Sequence, residues 1–186
     1  MSMLVLNYNK IFLYFYINYV ISNKERRLFM SLVKAKEYLK KFGLDKNVIE
    51  FSESTATVRE AAEALNCEDA QIAKTMAFLV DDSPILIIAS GDKKIDNSKF
   101  KQTFHTKAKM VPFDELETLI GHAAGGVCPF GINDGVKVYL DVSLKEFDTI
   151  YPACGTSNSA VKLTLEELEK ASNYLEYVDV CKKPEN

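Results

Sequence analysis

The stretch IAKTMAFLV, residues 72–80, sets one lysine in a run of small and apolar side chains. In an extended strand Lys74 shares a face with Ile72, Met76 and Phe78, while Ala73 and Thr75 point the other way. An ammonium on an apolar strand face is costly unless it reaches solvent, an acid or an anionic ligand. Lys74 is therefore either a lysine snorkelling from a strand end or a fixed cation for a phosphate or carbonyl oxygen. A second candidate is GGVCPFG, Gly125–Gly131, with three glycines and no charge. Consecutive glycines open backbone angles closed to other residues and let a ligand approach the amides, and Pro129 stiffens the second half of the loop. Exposed N–H groups in such a loop can cradle a phosphate or stabilise an oxyanion. The plainer role is a tight connection between Ile120 and a strand at Val136.

Cys128 in that loop raises the question of a thiol nucleophile, which needs a base at its side. His122 is close in sequence only, and nothing else supports a dyad. His105 and His122 have no metal-ligand spacing, and Cys67, Cys128, Cys154 and Cys181 never form C-x-x-C. No metal and no cofactor is expected. The run Gly91–Lys109, GDKKIDNSKFKQTFHTKAK, holds six lysines against two acids in a chain of net charge -3. It is either a solvated helix face or a landing strip for a nucleic-acid backbone, with Lys93, Lys94, Lys99 and Lys101 as contacts.

The elements that must position these residues can be read from periodicity. Ser31 is placed to cap a helix with Leu32, Ala35, Leu39 and Phe42 on one face and Gly43 as its stop. VIEF is a short strand, and Thr57 and Glu60 form a capping box for the helix VREAAEAL. IAKTMAFLV and ILIIAS are strands joined by the turn DDSP. A helix is expected from Asn97 to Phe104, a strand at KMV, and a helix FDELETLI ended by Gly121. After the glycine loop come the strand VKVYLDV, a shorter one over Thr149–Tyr151, and AVKLT. Thr164 and Glu167 repeat the capping box for LEELEKAS, and YVDV closes the sheet. Tight turns between neighbouring strands favour a mixed α/β (α+β) sheet over a regular doubly wound one. The length, 186 residues, with 47% hydrophobic and 26% charged residues, suits one globular domain. Scattered cysteines without a secretory signature suggest reduced thiols in a cytoplasm.

Residues 1–29 differ in composition from the remainder. Their apolar run, Ile11–Ile21, is about half of what a membrane-spanning helix requires, and no small-residue cleavage site comes after it. KERRLFM can be encoded AAA-GAA-AGG-AGG-TTA-TTT-ATG, a purine-rich ribosome-binding site, a spacer and a start codon. The expectation is a non-native leader over 1–29 and a domain over 30–186, with mass spectrometry of the chain from its native host as the check.

From about Lys34 to Leu175 the sequence resembles the YbaK-type aminoacyl-tRNA editing domains, which include trans-acting deacylases and the insertion domain of bacterial prolyl-tRNA synthetases. AQIAKTMAF, GDKKID, the G-x-x-x-P loop Gly125–Pro129, VYLDVSL and NSAVKLTLEEL carry the likeness by their order and spacing. The resemblance implies a single domain with a partly barrel-like sheet flanked by helices. It implies hydrolysis of a mischarged aminoacyl-tRNA ester, with attack by the substrate's terminal ribose hydroxyl, a held water or a substrate thiol. Lys74, Gly125 and Gly126 would be catalytic, and Thr75, Phe51, Val127, Cys128, Pro129, Phe130, Asn158 and Ser159 would line the substrate site. The implied partners are the aminoacyl-tRNA acceptor end and prolyl-tRNA synthetase, without a membrane. Cys128 stands where the family more often has Ser or Thr. Ala153 and Ala160 stand where relatives acting on Cys-tRNA(Pro) have a serine and an aspartate. An alanyl or another small-residue substrate is thus as much an expectation as a cysteinyl one, and a non-catalytic tRNA-binding or regulatory module is the alternative.

Overall fold

The computed structural model describes residues 22–184. In chain order these form α1 (Asn23–Lys40), β1 (Val48–Glu50), α2 (Val58–Leu65), β2 (Ile72–Val80), β3 (Ser83–Ser90), β4 (Lys94–Ile95), α3 (Asn97–Phe104), β5 (Lys109–Met110), α4 (Leu116–Leu119), β6 (Lys137–Asp141), β7 (Thr149–Pro152), β8 (Ser159–Val161), β9 (Leu163–Thr164), α5 (Leu165–Ser172), β10 (Glu176–Val178) and β11 (Cys181–Lys182). The main sheet is mixed and curled, ordered β10-β6-β3-β2-β7-β9, as the interspersed helices and strands predict.

The β2–β3 hairpin is its centre. Asp81 and Asp82 close it with φ of 48° and 58°, a two-residue turn whose twist matches that of paired strands. β3 is apolar almost throughout because both its faces are covered. Leu86 and Ile88 enter the main core with Leu39, Phe130 and Leu140, while Ile85, Ile87 and Ala89 join a second cluster around Phe78 and Phe100.

On the far side of β2 the sheet edge is divided. β7 runs parallel to β2 and pairs with Ile72 and Ala73, whereas antiparallel β5 pairs with Phe78 and Leu79. From Lys74 to Met76 no strand among the described residues lies beside β2 on that edge. Ala77 O accepts from Val111 N–H at 3.0 Å. Strand alternation therefore turns the main-chain groups of Thr75 to the same open edge.

Both capping boxes form, Thr57 with Glu60 ahead of α2 and Thr164 with Glu167 ahead of α5. Three expectations are corrected. α1 starts at Asn23, so Ser31 lies inside it, and the Ser31 hydroxyl bonds His122 Nδ1 at 2.7 Å instead of capping. Leu32, Ala35 and Leu39 are buried as their spacing predicts, but Phe42 falls beyond the last helical turn and is exposed. The helix expected from Phe113 contracts to Leu116–Leu119, because Glu115 N–H bonds Pro112 O at 3.0 Å in a turn that uses up the preceding residues. α1 crosses the boundary expected at Met30, and residues 1–21 of the proposed leader lie outside the described residues. Among the described residues no helix is long and apolar enough to cross a membrane.

Candidate active site

The divided edge of β2 opens onto a cavity of about 370 Å³, within the range of small-molecule sites. Because the opening is at an edge, both faces of the strand line it: Lys74 and Met76 from one, Ala73, Thr75 and Ala77 from the other. Ala124, Gly125 and Val127 form a second wall, and Ala153, Ser159 and Ala160 a third. Lys74 and Gly125 thus face the same hollow. Among the described residues that line it there is no carboxylate and no imidazole.

Lys74 is half-buried. Its ammonium donates to Gly91 O at 3.2 Å and to Lys93 O, both on the turn after β3. Carbonyls orient a cation without neutralising it, and among the described residues no carboxylate forms an ion pair with Lys74. Burial holds its pKa below the ordinary lysine value, and the charges of Cys181 and Asp92 offset only part of that effect. An unneutralised, partly desolvated cation in a cavity wall is a receptor for negative charge. Beside it, Thr75 Oγ1 is buried without a hydrogen-bond partner.

The glycine loop divides its labour differently from the expectation. Gly125 has φ of +85° and lines the cavity. Gly126 does not line it. Its N–H donates to Ala123 O at 3.1 Å, and a Cβ there would sit 2.3 Å from Gly155 O. Gly126 is therefore the tight pivot, not a free amide donor. Among the described residues no backbone carbonyl accepts from the N–H of Gly125 or Val127.

Cys128, Pro129 and Phe130 were expected to line the substrate site, but none of the three lines this cavity. Cys128 and Phe130 are fully buried in the main core, while Pro129 borders a separate depression beside Lys34 and Asn133. Cys128 Sγ does lie 3.5 Å from His122 Nε2. That nitrogen is also 2.8 Å from Phe130 O, which only accepts, so Nε2 carries the proton and Nδ1 accepts from the Ser31 hydroxyl. An imidazole so committed cannot take the thiol proton. Burial lowers the His122 pKa to about 4 and pushes that of Cys128 up to about 12. The group is a buried clip between α1 and the loop. Cys128→Ser is accordingly expected to keep most of whatever ester hydrolysis the unaltered chain shows in a tRNA deacylation assay, and loss of that hydrolysis, with an acyl-thiol trapped on Cys128 of the unaltered chain, would contradict this.

The clip also predicts a pH dependence of stability. The folded His122 pKa of about 4 lies below its ordinary 6.5, so the unfolded chain takes up the proton first as pH falls. Stability is intact above about pH 6.5 and declines toward pH 4, by about 2 kcal/mol between pH 7 and pH 5. Urea unfolding across that interval measures it, and a flat profile would show His122 to be less enclosed.

Phe51 and Asn158, also expected at the substrate, instead clamp one another. Phe51 N–H donates to Asn158 O at 2.8 Å, and Asn158 Nδ2 donates to Phe51 O at 2.9 Å. Ser159 does line the cavity, but its hydroxyl donates to Cys154 O at 2.9 Å and accepts from Thr156 Oγ1 at 2.7 Å. The basic strip is partly neutralised. Lys93 is nearly buried against Asp92 at 2.9 Å, and Lys99 bonds Asp179 at 2.7 Å. Lys94 and Lys101 are exposed. Met110, Phe113 and Ala124 line the cavity without having been expected there.

The family model for the aminoacyl-tRNA editing domain matches residues 52–171, from just before α2 into α5. The chain belongs to the aminoacyl-tRNA editing domain family. Protein YwhH of Bacillus subtilis (strain 168) is 46% identical over 154 residues, covering 82% of this chain and 98% of that protein. A proline–tRNA ligase of Bacillus cytotoxicus is 23% identical over 124 residues, 66% of this chain but only 22% of that enzyme. A solved structure described as a proposed trans-editing enzyme for prolyl tRNA synthetase superposes with a TM-score of 0.75 at 28% identity, covering 82% of this chain and 97% of that one. The cavity, with Lys74 on one wall and the G-x-x-x-P loop on the next, lies within this editing domain.

Proposed function

We propose that this chain is a trans-editing deacylase that hydrolyses the ester of a mischarged tRNA carrying a small amino acid, of the Ala-tRNA(Pro) or Cys-tRNA(Pro) type. The observation that carries the proposal is the shared cavity: Lys74, whose ammonium is not neutralised by a carboxylate, lines it together with Gly125 and Val127, whose amides no backbone carbonyl takes up among the described residues. In this reading the two amides polarise the ester carbonyl and stabilise the charge that develops on its oxygen. Lys74 anchors the terminal phosphate or adds to that stabilisation. With neither carboxylate nor imidazole in the cavity, activation of water falls to the neighbouring ribose hydroxyl of the substrate. Water oxygen bonds to the carbonyl carbon, the carbon–ribose oxygen bond breaks, and the ribose oxygen leaves with a proton.

The acyl pocket is bounded by Ala73, Ala77, Ala124, Ala153 and Ala160. An apolar wall suits an alanyl methyl group or a cysteinyl thiol and resists a larger side chain by steric conflict. A synthetase pocket discriminates one methylene by only about 1–3 kcal/mol, so removal of such errors after charging has a physical reason. Prolyl-tRNA synthetase is the proposed partner, the cytoplasm the proposed location, and Lys94 and Lys101 the proposed backbone contacts. The same alanine walls favour the second reading, a tRNA-binding module without turnover, because Ala153 and Ala160 offer the substrate no polar group. A screen against tRNAs mischarged with small amino acids separates the two. Release of alanine or cysteine supports the deacylase, and binding without release supports the module.

A further inference from the structure

We propose that Phe113 and Met110 form a stacking platform for the terminal adenine of the tRNA while the aminoacyl group occupies the cavity. The inference rests on the deacylase reading and adds a base subsite to it. Phe113 is 79% exposed and Met110 64%, more than any other large apolar side chain among the described residues. Both line the cavity that contains Lys74. β5 ends at Met110 and α4 begins only at Leu116, so the intervening turn carries Phe113 out from the core.

The substrate's own connectivity places the base there. Acyl group and adenine are attached to one ribose, so an acyl group inside the cavity leaves the adenine one sugar away, at the rim. An aromatic ring and a thioether both pack well on a purine face. Lys109, the neighbour of Met110 in β5, and Lys107 two residues before it are exposed and suit the phosphates that precede the terminal nucleoside. The opposite rim, Thr55 to Val58, has no aromatic side chain. Tyr151, the other aromatic side chain lining the cavity among the described residues, is half-buried, which leaves Phe113 as the exposed aromatic surface for a purine.

The test uses an RNA minihelix whose terminal adenosine is replaced by 2-aminopurine riboside, which loses fluorescence when stacked. The unaltered protein should quench it, Phe113→Ala should abolish most of the quenching, and Phe113→Tyr should preserve it. With mischarged tRNA, Phe113→Ala should raise KM on the order of tenfold and leave kcat nearly unchanged, as loss of a stacking contact made equally in ground and transition states would. Equal quenching and equal KM in Phe113→Ala overturn the platform while wild-type turnover keeps the deacylase reading standing. Absent turnover by the wild type overturns that reading instead, and Phe113-dependent quenching would then still support a docking site for the terminal base.

Discussion

Lys74→Ala is expected to abolish measurable deacylation of a small-residue mischarged tRNA while leaving the fold intact. Loss of one preorganised electrostatic stabiliser costs about 10²–10³-fold in rate, 2.7–4 kcal/mol, and removal of a phosphate anchor adds to that. The expected effect on stability is small for a specific reason. Burial already opposes the charged form of Lys74, so truncation relieves that penalty while leaving Gly91 O and Lys93 O without their donor. These contributions have opposite sign, and the net change should stay within about 1 kcal/mol. Deacylation kinetics with a thermal melt of the same sample decide the matter. Full activity in the variant would remove Lys74 from the mechanism, whereas an unfolded variant would assign it to the fold.

Gly126→Ala is the second large effect, and it arises without any contact with substrate. A methyl group there would stand 2.3 Å from Gly155 O and 2.5 Å from Thr156 N. Both are main-chain atoms that cannot swing aside, so either the 125–127 loop or the 155–156 turn must move. Forced overpacking of this kind costs about 1–3 kcal/mol of stability. The displaced loop carries Gly125 and Val127 with it, and a misplacement of about 1 Å in a catalytic group can cost 10²-fold. A chain that unfolds at lower urea and turns over at least tenfold more slowly is the expected result. Wild-type activity in Gly126→Ala would show that the loop amides do not need their present position.

The distinction between Gly125 and Gly126 shows how far the amino-acid order reaches. GGVCPFG announces a loop built from backbone, but only the coordinates show Gly125 at the cavity, Gly126 against Gly155, and Cys128 and Phe130 turned into the core. Local chemistry was legible: the Asp81–Asp82 turn, both capping boxes and the helix after Asp96 depend on neighbours in sequence. The gap beside Lys74 was not. It arises where β5 and β7, distant in sequence, stop pairing with β2 at different points. The ion pair of Lys99 was illegible for a similar reason, since its partner Asp179 lies far along the chain. Phe113 escaped notice because its spacing from Leu116 and Ile120 is that of a buried helical face. The helix begins too late to use it.

A crystal structure with an alanyl-adenosine analogue, its ester replaced by a non-hydrolysable amide, tests the shared cavity most directly. The account predicts the acyl carbonyl oxygen within hydrogen-bonding distance of the Gly125 and Val127 N–H groups, the methyl group among Ala73, Ala153 and Ala160, and the Lys74 ammonium facing the ribose-phosphate side. An analogue bound elsewhere, or bound with its carbonyl turned away from both amides, would contradict it.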